Sequence, residues 1–324
     1  MKVLIYGAGV IGGQICHALC KAKNDVTVLA RGTWAKTLKE EGLCIHHYLQ
    51  RRDSIDHPRV IERLDNEYYD LVFAVMQYKQ MEKILDDLSK VNSSIVILTG
   101  NNLSPETMEE RILSKTKKEK IVLFAFGSTA GTRENGKLNT VHTGDGELSI
   151  GGLQQEASDE VKEVIRSAFE KTKMKISWCD NMDSWLKYHA AFILPVVYLC
   201  YKTGCDLRKA SGEDRKLLFA AARDAYHLLM ELGYPVRPAG DEKTLEPGLM
   251  NLAARAVIYL VCHSRIGALC TSEHCKHAPQ EMKDLHDAFR KLRERKPEYP
   301  MPSFDKLYGM MPSFEEIMRE YPRS

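Results

Sequence analysis

The sequence predicts an α/β fold, an open parallel sheet wrapped by helices and followed by an all-helical second domain. Three observations predict it. The chain opens with four apolar residues, Val3 to Tyr6, that run into Gly7-Ala8-Gly9-Val10-Ile11-Gly12 and then into a segment of helical periodicity. Short apolar strands and helical stretches alternate from there to the region of Ser177. Beyond that point almost every segment reads as helix, as expected of a sheet domain followed by a helical one.

The elements follow in order. Val3 to Tyr6 is a buried parallel strand, because a short apolar run ending in glycine needs no alternation when both faces are covered. Gly7 permits the tight turn, Gly9 lets a pyrophosphate approach the backbone, and Gly12 lets the following helix pack close to the strand. The free N–H groups and positive end of that helix, opening at Val10 and Ile11, then hold phosphate charge. This is the strand–turn–helix context of a Rossmann-type dinucleotide site. Asp25 to Ala30 is the second strand, and it ends in Arg31-Gly-Thr33 with no acid to accept from a ribose 2′-hydroxyl. A guanidinium binds a 2′-phosphate bidentately, so NADP(H) is expected over NAD, with Lys36 available to add charge.

Residues 34–69 suggest a short helix from Ala35 to Glu41, a strand near Leu43 to His47 and a charged connection. Asp70 to Val75, Ser94 to Leu98 and Ile121 to Phe126 read as further strands. Gln80 to Leu88 reads as an amphipathic helix, and Ser104-Pro105 opens another, with Ser104 as N-cap and Pro105 at the first helical position. Ligands of such sheets lie at the carboxyl ends of the strands, so Gln77 and Asn101-Asn102 are expected to face the cofactor. Leu138 to Val141 and Glu147 to Ile150, joined by Thr143-Gly-Asp-Gly146, read as an antiparallel hairpin. Val161 to Thr172 is helical and Met174 to Ser177 a last edge strand. The boundary divides residues 1–180 from 181–324. In the second part Asp183 to Tyr201 is a long helix with a kink expected at Pro195. Glu213 to Leu232, Leu249 to Leu269 and Pro279 to Arg295 are three more, and the tail from Lys296 carries short helical stretches at most.

Bulk properties narrow the function. A chain of 324 residues with 44% apolar and 28% charged residues is ordinary for a two-domain enzyme. A formal charge of +2 gives no reason to invoke nucleic acid or an anionic membrane. No signal peptide precedes the first strand and no apolar run reaches spanning length. Nine cysteines without a regular framework suit a reducing cytoplasm. Cys262, His263, Cys270, His274, Cys275 and His277 gather soft ligands, but they contain no C-x-x-C pair and two of the cysteines sit in an apolar helix, so no metal is expected. The Leu249–Leu269 helix fits either core or the face of a homodimer.

The combination resembles the ketopantoate reductase (2-dehydropantoate 2-reductase) family over most of the chain. The likeness rests on the Gly7–Gly12 turn, Arg31, Asp70 to Gln80 and Thr99-Gly-Asn-Asn102. It continues through Gly131 to Gly136, Val141 to Gly152 and Trp185-Leu-Lys187. It implies NADPH-dependent reduction of a 2-oxo acid to a 2-hydroxy acid between the two domains, in pantothenate synthesis. By this resemblance Lys187 is the general acid that protonates the developing alkoxide, with its pKa lowered by partial burial. Asn101 would hydrogen-bond cofactor or substrate, Glu281 would face the lysine and the substrate hydroxyl, and Thr271 or Ser272 would bind substrate. His189, on a different helical face from Lys187, is expected in the core or an interface.

The departures concern the substrate. The family's Lys-x-x-Gln after the fourth strand reads Gln77-Tyr-Lys-Gln80 here, and Asn102 replaces a glycine. The asparagines that grip substrate after the lysine are Ala191 and Leu194, which removes on the order of 2–4 kcal/mol of polar recognition. Two alternatives therefore stand beside a ketopantoate reductase: a related dehydrogenase acting on a different oxo or hydroxy acid, and a non-catalytic NADP-binding sensor.

Overall fold

Strand β1 (Lys2–Tyr6) is buried from Val3 onward and delivers the chain through the glycine turn into helix α1 (Val10–Lys21). The computed structural model describes residues 1–322. They fall into two compact units that divide after Asp183.

In the first unit β2 (Asp25–Leu29) and α2 (Gly32–Glu40) come next, then β3 (Leu43–His47), β4 (Arg52–Asp56), β5 (Arg59–Ile61) and β6 (Leu71–Val75). Helices α3 (Tyr78–Glu82) and α4 (Leu85–Lys90) precede β7 (Ile95–Thr99), α5 (Pro105–Lys115) and β8 (Ile121–Gly127). The unit closes with β9 (Ala130–Glu134), β10 (Lys137–Val141), β11 (Glu147–Gly151), α6 (Asp159–Ala168) and β12 (Lys175–Trp178). Eight strands form one sheet in the order β12-β11-β8-β7-β6-β1-β2-β5. It is parallel except where β11 meets β8. Every residue of β6 and β7 is buried, which accounts for their unbroken apolar sequences Leu-Val-Phe-Ala-Val and Ile-Val-Ile-Leu-Thr. The α/β prediction holds.

A second sheet, β4-β3-β10-β9, corrects the predicted hairpin. β10 and β11 do not pair. β10 pairs with β9 and β3 in the small sheet, whereas β11 pairs with β8 and β12 in the large one. The hairpin lies one strand earlier, turning at Asn135-Gly136 with both residues at positive φ (49° and 73°). An Asn-Gly pair is the strongest local hairpin signal, and its twist matches the flanking strands. Thr143–Gly146 is instead a crossover between sheets, pinned by Asp145. That buried carboxylate accepts from Lys21 Nζ at 2.8 Å and from Lys173 N–H at 2.6 Å. Burial works to raise its pKa, yet these partners outweigh burial and hold it below the usual carboxylate range.

The remaining differences are local. Gln80–Leu88 is not one helix but parts of α3 and α4. The charged connection carries β4 and β5. Ser104 stands at the N-cap of α5 but its hydroxyl makes no cap bond; its N–H instead donates to Asn102 Oδ1 at 2.9 Å.

The small sheet packs on α1. A Cβ at Gly13 would lie 2.3 Å from Leu138 Cδ1, so the glycine that follows the motif makes room for β10. Gln14 Nε2 donates to Asp145 O at 2.8 Å. Three buried histidines complete the junction. His17 Nδ1 shares a hydrogen bond with Asp56 Oδ2 at 2.7 Å, and His47 bonds His142 Nε2 at 2.9 Å and Ser54 Oγ at 2.7 Å. Burial, with His17 nearby, pushes His47 down to about 3.

The second unit is helical, as predicted. It contains α7 (Met182–Lys202, beginning just before the division), α8 (Gly212–Glu231), α9 (Leu249–Cys262), α10 (Arg265–Gly267) and α11 (Glu273–His277). It ends with α12 (Pro279–Arg293), α13 (Pro302–Tyr308) and α14 (Phe314–Glu320). α7 runs through Pro195 as one helix. A capping box starts α8: Ser211 Oγ accepts from Asp214 N–H, and Asp214 accepts from Ser211 N–H. The predicted Leu249–Leu269 helix is corrected, since it stops at Cys262 and the chain bends by 79° into Arg265–His277. Ser264 caps the new start, and Gly267 lies so close to Val261 O that a Cβ would approach it to 2.2 Å. The tail is packed: Asp224 on α8 accepts from the N–H groups of Ser303 and Phe304, and His286 stacks on Tyr308 at 4.6 Å. Among the described residues no single helix is long and apolar enough to cross a membrane.

The neutral His47 makes the first unit acid-sensitive. A base with a depressed folded pKa binds fewer protons folded than unfolded, so its contribution is complete above pH 6.5 and is lost as pH falls towards 3. Urea midpoints should drop from pH 7 to pH 4, with a shallower slope in His47→Gln. Equal slopes in both proteins would refute the assignment.

Candidate dinucleotide site

The geometry of the glycine turn follows from what each glycine touches. Gly7 has φ +105°, and a Cβ there would lie 2.3 Å from Val75 O of β6. A Cβ at Gly12 would meet Gly7 O at 2.0 Å. Both close approaches require glycine. Gly9 is different, because nothing lies within 4 Å of its absent Cβ. Gly7 and Gly12 are thus required by the fold, whereas Gly9 leaves room above the backbone. It is also the N-cap of α1, where no side chain caps the helix and no acid occupies the first turn. Val10 and Ile11, half-buried, begin the helix. An uncapped amino end beside open space suits a phosphate.

Arg31, exposed, is the N-cap of α2. Its Nη2 donates to Tyr6 Oη at 2.9 Å, and Tyr6 O–H reaches Asp87 Oδ2 at 3.3 Å. Trp34 in the first turn of α2 donates from Nε1 to Ala8 O at 2.8 Å, tying that helix to the glycine turn. Sequence reasoning missed Tyr6 and Trp34. Tyr6 was signalled by a hydroxyl at the end of an otherwise aliphatic strand, and Trp34 by its place three residues after Arg31.

On neighbouring strands, Gln77 stands at the N-cap of α3 just past β6. Asn101 lines a small depression with Met76, Thr99, Gly100 and Met108. Asn102 lines the same depression as Asn101. It is buried, with Oδ1 taken by Ser104 N–H and Nδ2 against Met108 Sδ at 3.4 Å, so it serves the turn.

The remaining predicted residues lie in the second unit. Lys187 is 1% exposed, its Nζ 4.8 Å from the centroid of the Tyr234 ring. The Tyr234 main-chain carbonyl accepts from the Tyr188 hydroxyl at 2.8 Å, and its phenol oxygen accepts from Arg295 Nη1 at 2.7 Å. The Glu281 carboxylate, near the start of α12, is 3.5 Å from His274 Nε2. Thr271 and Ser272 fall in a π-helical turn, Ala268–Ser272. Ser272 is buried with Oγ 4.0 Å from Cys200 Sγ, whereas Thr271 is half-buried. His189 stacks on Trp185 at 5.2 Å, and burial pushes its pKa down to about 4. Among the described residues no three His, Cys, Asp or Glu side chains come together as a metal site.

Residues 3–155 match the profile described as ketopantoate reductase PanE/ApbA. This segment belongs to the ketopantoate reductase family. An uncharacterized oxidoreductase of Bacillus subtilis is 25% identical over 191 residues, 58% of this chain and 61% of that protein. A 2-dehydropantoate 2-reductase of Pyrococcus abyssi is 25% identical over 192 residues, 57% of this chain and 59% of that protein. The chain thus spans about three-fifths of the length of these curated relatives. Among solved structures, a PanE/ApbA family ketopantoate reductase of Ralstonia eutropha superposes with a TM-score of 0.72 at 16% identity, over 99% of both chains. A D-mandelate dehydrogenase with NADH and anilino(oxo)acetate gives 0.70 at 14% over 100% of both. At these identities the likeness shows the fold, which extends through the helices beyond the ketopantoate reductase-family segment.

Substitutions should separate the glycines. Gly12→Ala should cost about 2 kcal/mol or more in urea unfolding, because its Cβ meets backbone. Gly9→Val should leave stability nearly unchanged while weakening NADPH binding at least about tenfold, as a side chain fills phosphate space. Equal effects on stability would refute the distinction.

Proposed function

We propose that the protein is an NADPH-dependent reductase of ketopantoate type, reducing a 2-oxo acid to a 2-hydroxy acid. The observation that carries this is the glycine turn of a ketopantoate reductase-family segment whose Gly9 leaves its backbone open beside an uncapped helix. Gly7, Gly9, Val10, Ile11, Gly12, Arg31, Gln77 and Asn101 would hold NADP(H), which supplies the hydride when bound. Arg31, held by Tyr6, favours the 2′-phosphate form. Lys187 is the proton donor to the developing alkoxide and attracts the substrate carboxylate; Glu281 orients the substrate hydroxyl. Of the two candidates in the π-helical turn, the half-buried Thr271 fits substrate contact better than Ser272, which packs on Cys200. The helical unit would bind substrate and could support a homodimer through Leu249, Leu252 and Leu260 on α9, all exposed; the related Staphylococcus aureus ketopantoate reductase is described as dimeric. Nine free cysteines suit a reducing cytoplasm.

A second substrate reading is favoured by one observation. Ala191 and Leu194, where the family places asparagines, are fully buried, so they offer a 2-oxo acid no polar contact. A less polar 2-oxo acid than ketopantoate fits such positions better, in which case the reaction lies outside pantothenate synthesis. NADPH oxidation should be followed with ketopantoate and with a panel of aliphatic and aromatic 2-oxo acids. Turnover of ketopantoate supports the first reading and preference for an aromatic acid the second. Tight NADPH binding without turnover of any acid would identify a sensor and overturn both. Lys187→Ala should lower kcat by about 10² or more with NADPH affinity nearly intact. Full activity in that variant would remove Lys187 from the mechanism.

A further inference from the structure

The small sheet also reaches the nucleotide turn. Arg133, on β9 and exposed, holds its guanidinium carbon 5.2 Å from the centroid of the Trp34 ring. Trp34 is itself fixed to the turn through the bond from Nε1 to Ala8 O, 2.8 Å long. One indole therefore joins the glycine turn, the start of α2 and the hairpin β9–β10, and it brings a second guanidinium to the side of the unit where Arg31 begins α2. Among the described residues neither arginine has a carboxylate within salt-bridge distance. In contrast, Lys137 on the same hairpin pairs with Asp53 at 2.9 Å, and Lys39 on α2 pairs with Glu62 at 2.6 Å. Glu134, the neighbour of Arg133, projects to the opposite face of the strand by the two-residue alternation. A guanidinium stacked by its face on an indole keeps its N–H edge available for a bidentate bond to phosphate, and the stacking removes much of the rotamer freedom that such a bond would otherwise cost.

We propose that Arg133 is a phosphate-binding residue of the dinucleotide site, supplied by the small sheet and positioned by Trp34. This rests on the reading that the first unit binds a pyridine dinucleotide, and it adds a residue outside the βαβ framework to that site. The bound group is a phosphate ester, either the 2′-phosphate or the pyrophosphate.

Dissociation constants for NADPH and for NADH, measured by calorimetry on the full chain at several salt concentrations, test it. Arg133→Ala should weaken NADPH binding about tenfold or more and flatten its salt dependence, as expected when a charge-assisted bond to phosphate is removed. Arg133→Lys, which keeps the charge without the planar fork, should recover part of the loss. A loss confined to NADPH assigns the 2′-phosphate, and an equal loss for NADPH and NADH assigns the pyrophosphate; either supports the proposal. Affinities for both within twofold of wild type would overturn it. So would weakened binding with unchanged salt dependence and a lowered Tm, which would mark Arg133 as a strut for the small sheet. Wild-type protein that binds neither nucleotide would bring down the dinucleotide reading itself, a result distinct from wild-type binding that Arg133→Ala leaves intact.

Discussion

In the first unit α1 lies tight against the turn that precedes it, where a Cβ on Gly12 would stand 2.0 Å from Gly7 O. Much else in that unit depends on this contact. α1 can lie so low over the sheet only because Gly7 and Gly12 lack side chains. Its next residue, Gly13, lets β10 of the small sheet close on the same helix. Through Gln14, His17 and Lys21 the helix then holds Asp145 and Asp56. One helix thus leaves its amino end without a side-chain cap while its body joins two sheets. Such multiple use explains why the segment tolerates buried polar groups: Gln14 and His17 each find a partner across an element boundary, which offsets much of the desolvation cost, while His17 Nε2 is left without one.

Charge is arranged on a similar plan. At the strand ends near the turn, the phenol of Tyr6 stands between Arg31 and Asp87, so the guanidinium is oriented without being neutralised by direct contact with a carboxylate. Away from it, cations are mostly committed: Lys21 to Asp145, Lys39 to Glu62, Lys137 to Asp53. The exposed pairs among these, Lys39–Glu62 and Lys137–Asp53, contribute little to stability. In the second unit Lys187 is held differently, buried against the face of Tyr234. An aromatic face attracts an ammonium through the negative face of its quadrupole.

How much was legible can be judged from particular residues. The buried parallel strands were readable because apolar runs of five residues ending in glycine or a polar turn have few other uses. The sheet's extent, from β5 at one edge to β12 at the other, was not, since Arg59–Ile61 is too short and mixed to carry a pattern. The hairpin was misplaced although its Asn-Gly turn was in view, because Thr143-Gly-Asp-Gly146 carries two glycines and lies between two strand-like runs. Local turn chemistry was ambiguous; the pairing was decided by Asp145, whose partners are remote in sequence. Of the site residues, Gly7, Gly9, Gly12 and Arg31 could be proposed from spacing. Tyr6 and Trp34 left only weak local signals, because their relevance lies in contacts made across elements. Asn102, expected to face the cofactor, lines the same depression as Asn101 and also completes the turn.

The sequence by itself determined the buried parallel strands, the change from a sheet-containing region to a helical one, and the glycine turn, because each of these is written in local periodicity and in positions that accept only glycine. The tertiary structure decided which strand joins which sheet, where the Leu249 helix ends, and which side chains gather around Ala8 and Arg31. Those outcomes depend on partners far apart along the chain, whose meeting is set by packing and by the pairing of buried charge, and no local window of residues contains that information.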